Sequence, residues 1–451
     1  MFSLHENEPN PVISATDLSV EGEGIGKSHQ GQVCFVPGLL PDEKGEIEIL
    51  KSAPNYATGR LLRILKASDD RVTPFCTKFE ICGGCQIQHL DYAAQLIWKR
   101  QHVQETLARI GKINTTVLPV IGATHPTEFR NKAQFPVGQD PKGHLQIGFY
   151  APRSHHLVNI PSCPISTPQI NEILNQLRYH INAHDISIYN ETTHTGLLRH
   201  LVLKYSEHEQ KTWVTLVCTK TKLPPAFLKD LENLPHLGGL FLNFNPNLGN
   251  AILGRETRHL AGNETFKETI DTLTFEFSPT AFIQSNWSQA KILYQKAIEY
   301  AQIKPTDTVW DLYCGVGILG IMASFQAQTV LGLESNPEVI ANAKTNALLN
   351  QSNAVFEAHN LDQPLSESLS KAFPPDIVLL DPPRKGCSEK LIRNLINLNP
   401  RQIIYISCNP STLARDLNIL CQNGFSVQTV QPLDLFPHTT HVECIAKLHA
   451  S

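Results

Sequence analysis

The 451-residue chain has no uninterrupted apolar run near the roughly 20 residues that cross a bilayer. Its first ten residues, "MFSLHENEPN", carry neither a basic start nor an apolar stretch. Neither a membrane-spanning nor a secreted protein is expected, and the cytoplasm is. No charge excess exists either. The formal net charge is −4, which gives no global electrostatic sign of nucleic-acid binding. Internal repeats and low-complexity segments are missing, and a hydrophobic fraction of 41% excludes wholesale disorder. What the chain does have is cysteine, eleven residues of it. In a reducing compartment these are expected to be buried, metal-binding or catalytic rather than paired.

The length predicts roughly two to four domains. Residues 1–16 are polar and read as a loose lead. From Asp17 to Arg71 short apolar runs alternate with glycine turns: "GQVCFVPGLL", "EKGEIEILKSA", "TGRLLRILKAS". This spacing predicts a small N-terminal β-barrel over 17–71. A central α+β domain is expected over 72–276. It opens on a cysteine-dense patch and an amphipathic helix, Tyr92 to Ile110, with Leu96, Val103, Leu107 and Ile110 near helical spacing. That helix is a candidate to pack on the C-terminal domain. Between Trp98 and Lys132 six Lys/Arg face Glu105 and Glu128, a local net of +4. Such a run can follow a phosphate backbone, but a solvated helix face is the commoner cause. Over 277–451 apolar runs alternate with helical segments, as in "TVWDLYCG", "TVLGLES", "PEVIANAKTNALLN", "AVFEAHN", "DIVLLDPPR" and "QIIYISCNP". This is βαβ alternation, hence a Rossmann-like parallel sheet covered by helices. The fold class is multidomain α/β.

Asp311-Leu-Tyr313-Cys-Gly315-Val-Gly317 follows one strand and precedes a helix. Its glycines permit a tight turn and close approach of backbone to a ligand. Glu334 ends the next strand, where a carboxylate can accept both ribose hydroxyls of a nucleoside cofactor. Gly320 supplies the third glycine of a dinucleotide fingerprint, so NAD stays open on this motif alone. Asn360 after the third strand and Asp381 in "LLDPPRKG" after the fourth complete an ordered set at strand ends. That set matches S-adenosylmethionine (SAM) methyltransferases.

Enzymes that methylate exocyclic amines carry an aromatic residue after D-P-P; here Arg384 stands there. The next strand ends instead in a cysteine, "ISCNPSTLARDL". C5 of uracil is a poor nucleophile until a thiolate adds to C6, after which a base must remove the C5 proton. The chemistry therefore needs a nucleophilic cysteine and a general base. Cys408 fits the first role, at a helix N-terminus expected to lower its pKa. Glu443 in "HTTHVECIAKL" fits the second. Against this stand an ordinary packing cysteine and an ordinary edge carboxylate. Cys314, Cys387, Cys421 and Cys444 read as packing residues.

"FSPTAFIQSNW", "DLYCGVG", "LLDPPRKG", "ISCNPSTLARDL" and "HVE", in that order, resemble the RNA uracil-5-methyltransferase family over most of 277–451. The resemblance implies a SAM site at Gln284, Tyr313, Gly315, Gly317, Glu334, Asn360 and Asp381. It implies a base site at Phe282, Gln284 and Asp381, Cys408 as nucleophile and Glu443 as base. Ile318 departs from the Asn, Thr or Ser that many members carry, so no cofactor contact is assigned to it.

Cys76, Cys82 and Cys85, with Cys163 in "PSCPIS", can hold zinc or an iron–sulfur cluster, and their spacing does not choose. "FCTKFEICGGCQIQH" resembles the segment that binds a [4Fe–4S] cluster in ribosomal members, with Cys163 as fourth ligand. Residues 17–71 resemble the TRAM domain, an OB-like RNA-binding barrel. Lys27, Arg60, Arg63 and Lys66 are its candidate phosphate contacts, and Arg130 and Lys132 in "FRNKAQF" are further RNA candidates. Barrel and cysteines together imply the branch acting on 23S ribosomal RNA, with uridine 1939 the expected target and a monomer the expected state. Three rivals stand beside it. One is the same chemistry on another 23S uridine or on the transfer RNA T-loop. The others are a non-catalytic iron–sulfur RNA-binding or assembly factor and an exocyclic amine methyltransferase.

Overall fold

The computed structural model describes residues 10–28, 31–363 and 373–451; the first nine residues of the polar lead lie outside them. The chain first closes a five-stranded barrel: β1 (Val12–Leu18), β2 (Glu23–Lys27), β3 (Val33–Pro37), β4 (Lys44–Ser52) and β5 (Tyr56–Lys66), in the order β1-β2-β3-β5-β4. Alternating side chains fill it, with Ile13, Val36, Ile47 and Ala57 fully buried. The barrel begins at Val12, ahead of the Asp17 expected. "VISATDL" buries only Ile13, Ala15 and Leu18, a pattern too weak in large apolar side chains to read as a strand.

Helix α1 (Tyr92–Arg109) follows, N-capped by Asp91 Oδ1, which accepts from the Ala93 N–H at 2.9 Å. It lies against the C-terminal part of the chain. Val103 and Leu107 enter that core, and the fully buried Lys99 Nζ contacts Asp434 Oδ1 at 2.6 Å. A second sheet has seven strands: β6 (Lys132–Gln139), β7 (Leu145–Tyr150), β8 (Leu157–Asn159), β9 (Leu198–Ser206), β10 (Lys211–Cys218), β11 (Leu237–Phe244) and β12 (Glu256–Gly262). Their order is β12-β11-β10-β9-β6-β7-β8. Helices α2 (Pro168–Ala183) and α3 (Pro225–Glu232) cover it through Leu174, Leu177 and Phe227. A hairpin, β13 (Phe266–Ile270) and β14 (Leu273–Phe277), comes next. Its Phe266, Phe275 and Phe277 share one core with Trp287 and Leu293 of α4 (Trp287–Ala301). Packing therefore runs continuously across residue 277.

The last sheet comprises β15 (Thr308–Leu312), β16 (Thr329–Glu334), β17 (Val355–Ala358), β18 (Ile377–Leu380), β19 (Gln402–Ser407), β20 (Phe425–Leu433) and β21 (Glu443–Ala450). It is ordered β17-β16-β15-β18-β19-β21-β20. The neighbours from β17 to β19 pair in parallel, while β21 runs antiparallel to both β19 and β20. The fully parallel sheet expected from βαβ alternation is thus corrected at one strand, which returns by a hairpin rather than a crossover. Helices α4, α5 (Ile318–Ser324), α6 (Pro337–Leu349), α7 (Glu389–Leu398) and α8 (Pro410–Cys421) cover its faces. Strand order reverses beside β15, and ligands in such sheets bind outside the carboxyl ends of the strands there. Among the described residues no helix is long and apolar enough to cross a membrane.

Candidate functional site

A cavity of about 1060 Å³ opens at that rim. The turn after β15 brings Tyr313 and Gly315 to it, the end of β16 brings Glu334, the loop after β17 Asn360, and the end of β18 Asp381. Gly315 has φ 54°, and a side-chain carbon built there would meet nothing within 4 Å, so the backbone lies bare toward the space. Gly317 differs. It does not line the cavity; a β-carbon there would strike Phe356 at 2.7 Å, so its role is close packing at the start of α5. Glu334 Oε1 accepts from Ser335 Oγ at 2.8 Å and from the Asn336 N–H at 3.0 Å. Both of these hydrogen bonds fall on the one carboxylate oxygen. Ile318 also lines the wall, offering apolar surface only.

The same cavity continues to Cys408, Glu443, Gln284 and Phe282. Cys408 follows β19 directly, and Glu443 is the first residue of β21. The β19–β21 ladder pairs Gln402 with His449 and ends by pairing Ser407 with Cys444. Cys408 and Glu443 come next beyond that last pair, and the Glu443 carboxyl acts electrostatically on the Cys408 thiol. Asn409 caps α8, accepting from the Ser411 N–H at 3.0 Å, and its Nδ2 donates to the Arg384 carbonyl at 3.2 Å. Thr412 Oγ1 donates to that same carbonyl at 3.2 Å. The D-P-P-R turn is thereby tied to the cysteine turn.

The electrostatics correct one expectation. The Cys408 thiol is pushed up to about 11, by burial first and then by Glu443 and Asp381, against Arg384. The position before a helix start does not offset this, because the thiol is buried and two carboxyls stand near it. Glu443 is 2% exposed, and burial, then Asp381, raise its pKa well above the carboxylate range while Arg384 opposes. Burial also raises Asp381 and Asp311 to about 7. Arg384, whose Nη2 lies 3.2 Å from the His441 ring nitrogen, is the cation common to Cys408 and Glu443. Burial keeps His441 neutral, with a pKa lowered to about 4.

Phe282 stands on the loop before α4 with 68% of its surface exposed. Two lysines hold that loop from below. Lys132 of β6 and Lys204 of β9 are partners on one ladder rung. Lys132 Nζ sits 4.7 Å from the Phe282 ring centre. Lys204 Nζ donates to the carbonyls of Pro279 at 2.6 Å and Ala281 at 2.7 Å. Sequence reasoning missed Lys204 and the charge role of Arg384. Lys204 lies in "HLVLKY", which carries no signal beyond a strand; Arg384 was visible beside D-P-P, but its partners were not. Cys314 also lines the cavity, where burial raises its thiol well above the usual value. Cys387 and Cys444 are buried and Cys421 is half-buried.

Cys76, Cys82, Cys85 and Cys163 surround a second, small space together with Phe79 and Ile160. About 20 Å³ of it is free, enough for one water-sized group. Burial raises the Cys85 thiol to about 12 and the Cys82 thiol as well. Arg130 and Phe149 line both spaces, with the guanidinium carbon 5.7 Å from the ring centre. On the barrel, Lys27 and Lys66 are exposed, whereas Arg60 and Arg63 pair with Glu48 and Glu46. These two arginines are therefore not free cations, although exposed pairs of this kind are weak and open to exchange for a phosphate.

The family profile described as tRNA (Uracil-5-)-methyltransferase matches residues 91–450, and that of the TRAM domain matches residues 13–62. An uncharacterised RNA methyltransferase of Halalkalibacterium halodurans is 38% identical over 446 residues, covering 97% of each chain. One from Clostridium tetani is 39% identical over 434 residues, 95% of this chain and 94% of that one. Among solved structures, the tRNA (uracil-54, C5)-methyltransferase of Pyrococcus abyssi in complex with S-adenosyl-L-homocysteine superposes with a TM-score of 0.78. It shares 27% identity over 96% of this chain and 99% of that one. With these matches over nearly its whole length, the chain belongs to the tRNA (uracil-5-)-methyltransferase family, a SAM-dependent RNA uracil-5-methyltransferase carrying a TRAM domain.

Proposed function

We propose that the chain methylates C5 of one uridine in 23S ribosomal RNA through a covalent adduct on Cys408, with uridine 1939 the first position to examine. The observation that carries the covalent reading is that Cys408 and Glu443 line one cavity, which also reaches Glu334 and Gly315. Gly315, Tyr313, Glu334, Asn360, Asp381 and Gln284 fit a nucleoside sulfonium: bare backbone, a free carboxylate oxygen and amide groups converge on one wall. SAM supplies the methyl group there as an electrophile.

Cys408 Sγ adds to C6 of the uracil, and the displaced π electrons move onto the C4 carbonyl. C5 then takes the methyl group as its bond to sulfur breaks. Glu443, as carboxylate, removes the C5 proton; that electron pair restores the C5–C6 double bond and expels Cys408 as thiolate. Phe282 offers a face for the flipped base, which must leave its stack to arrive here. Arg384 is the positive charge through which the thiolate and the carboxylate can coexist.

The four cysteines fit a [4Fe–4S] cluster by donor type. When bound, it would supply a cross-link between the 76–85 loop and Cys163. A second reading, action on the transfer RNA T-loop, is favoured by the Pyrococcus abyssi neighbour, which is a tRNA (uracil-54, C5)-methyltransferase. Mapping 5-methyluridine in ribosomal and transfer RNA of cells with and without the protein decides. Loss at one 23S position supports the first reading, and loss only from transfer RNA replaces it with the second.

A further inference from the structure

On the far side of the central sheet from Lys132 and Lys204, the C-terminal end of α2 meets α3 in a cluster that the catalytic reading does not use. His180 stands in the last turn of α2, and His184 is the residue that caps its C-terminus. Asp230 of α3 reaches both: Oδ2 lies 2.7 Å from His184 Nε2 and 3.7 Å from His180 Nδ1. Among the described residues this is the one set of three such side chains whose ligand atoms all lie within 4.8 Å of one another. The ligands of a tetrahedral zinc with bonds of roughly 2.0 Å lie about 3.3 Å apart, and the two measured separations straddle that value.

An independent observation concerns unsatisfied atoms. His180 Nδ1 is shielded from solvent yet has no hydrogen-bond partner among the described residues, and the same is true of Gln176 Oε1 one turn earlier. Gln176, His180 and His184 thus form a stripe of potential donors at intervals of four, and Gln176, His180 and Asp230 line one surface cleft. A plain histidine–aspartate hydrogen bond accounts for His184 alone. It leaves His180 Nδ1, which faces the same carboxylate oxygen, and Gln176 Oε1 without partners, and buried polar atoms without partners are costly.

The geometry points to a structural site for a divalent transition-metal ion of the zinc class, held by His180 Nδ1, His184 Nε2 and Asp230 Oδ2 and completed by water anchored on Gln176. Two imidazoles and one carboxylate suit such an ion better than magnesium or calcium, which take oxygen ligands. Its effect is to clamp α2 to α3. This assignment is independent of the catalytic cavity and of the four cysteines.

The test uses the full chain with its cysteine site loaded, titrated with Co²⁺ and, separately, Zn²⁺. Wild type is compared with His184→Gln and with the exposed Asp230→Asn. The expected result is one cobalt equivalent in wild type with a d–d spectrum free of thiolate charge-transfer bands, lost in both variants. A zinc-dependent rise in the unfolding temperature should appear in wild type and vanish in the variants. If His184→Gln fails to fold, Asp230→Asn alone makes the comparison. Equal metal uptake and equal spectra in wild type and Asp230→Asn would overturn the assignment, as would uptake carried wholly by thiolates.

Discussion

Cys408 and Glu443 lie immediately beyond the Ser407–Cys444 pair that ends the β19–β21 ladder, and both line one cavity. Glu443 is held there by its pairing with Leu433 of β20. The nucleophile and the base of the proposed reaction are therefore brought together at the end of a strand pair. A one-residue slip of β21 would turn Glu443 to the opposite face.

Glu443→Gln separates the two halves of the reaction. The variant should still attach to RNA through Cys408 and accept a methyl group, but elimination should slow by roughly 10²–10⁴-fold, the usual value of a positioned general base. Denaturing gels should show RNA–protein adduct accumulating with unmodified substrate. Normal turnover by this variant would remove Glu443 from the mechanism.

A thiol held at about 11 is almost wholly protonated at neutral pH. Its thiolate fraction should rise about tenfold per pH unit below that value, so alkylation of Cys408 by iodoacetamide, read at its peptide by mass spectrometry, should climb steadily from pH 7 to pH 10. A sulfonium in the cavity adds an opposite charge near Cys408, Asp381 and Glu443, which favours their ionised forms. At fixed pH, SAM should speed alkylation relative to S-adenosylhomocysteine, which lacks the methyl group and with it the sulfonium charge. Equal rates with the two ligands would mean that the cofactor's charge does not reach the thiol.

Phe282 is a large, exposed ring on a loop pinned by Lys204. Base–aromatic stacking is worth about 1–3 kcal/mol. Phe282→Ala should therefore weaken RNA binding by about 5- to 150-fold and leave SAM affinity within twofold, both measurable by equilibrium titration. A matching loss of SAM affinity would place the ring in the cofactor site instead.

Much of this site could be read in advance because parallel strands deliver their last residues to one rim, so motifs in chain order become neighbours in space. Tyr313, Glu334, Asn360, Asp381 and Cys408 follow that logic and line one cavity. Glu443 was readable as a candidate base on a last strand; its neighbours depended on β21 running antiparallel, a pairing that no local pattern specifies. The electrostatics were not readable either. "CNP" at a helix start suggested a low thiol pKa, but the nearby carboxyls come from strands 27 and 35 residues away in sequence. Lys132 and Lys204 became partners only through a ladder joining distant strands. β1 escaped notice because its buried face is small.

Loss of the proposed cluster should affect structure before chemistry. Cys82→Ser is expected to purify without the iron proposed for the wild type, to unfold at lower temperature, and to bind RNA less tightly while SAM affinity is retained. Iron analysis, thermal unfolding and RNA titration check this together. An iron-free chain with unchanged unfolding temperature and RNA affinity would leave the cysteine site without the stabilising part assigned to it.

The most direct measurement is covalent trapping with 5-fluorouridine RNA in the presence of SAM. Fluorine at C5 blocks the final proton removal, so wild type should form a stable complex whose cross-linked peptide carries the RNA on Cys408. Cys408→Ala should form none and should methylate normal RNA not at all. Methylation persisting in Cys408→Ala, or an adduct mapped to another residue, would contradict the account.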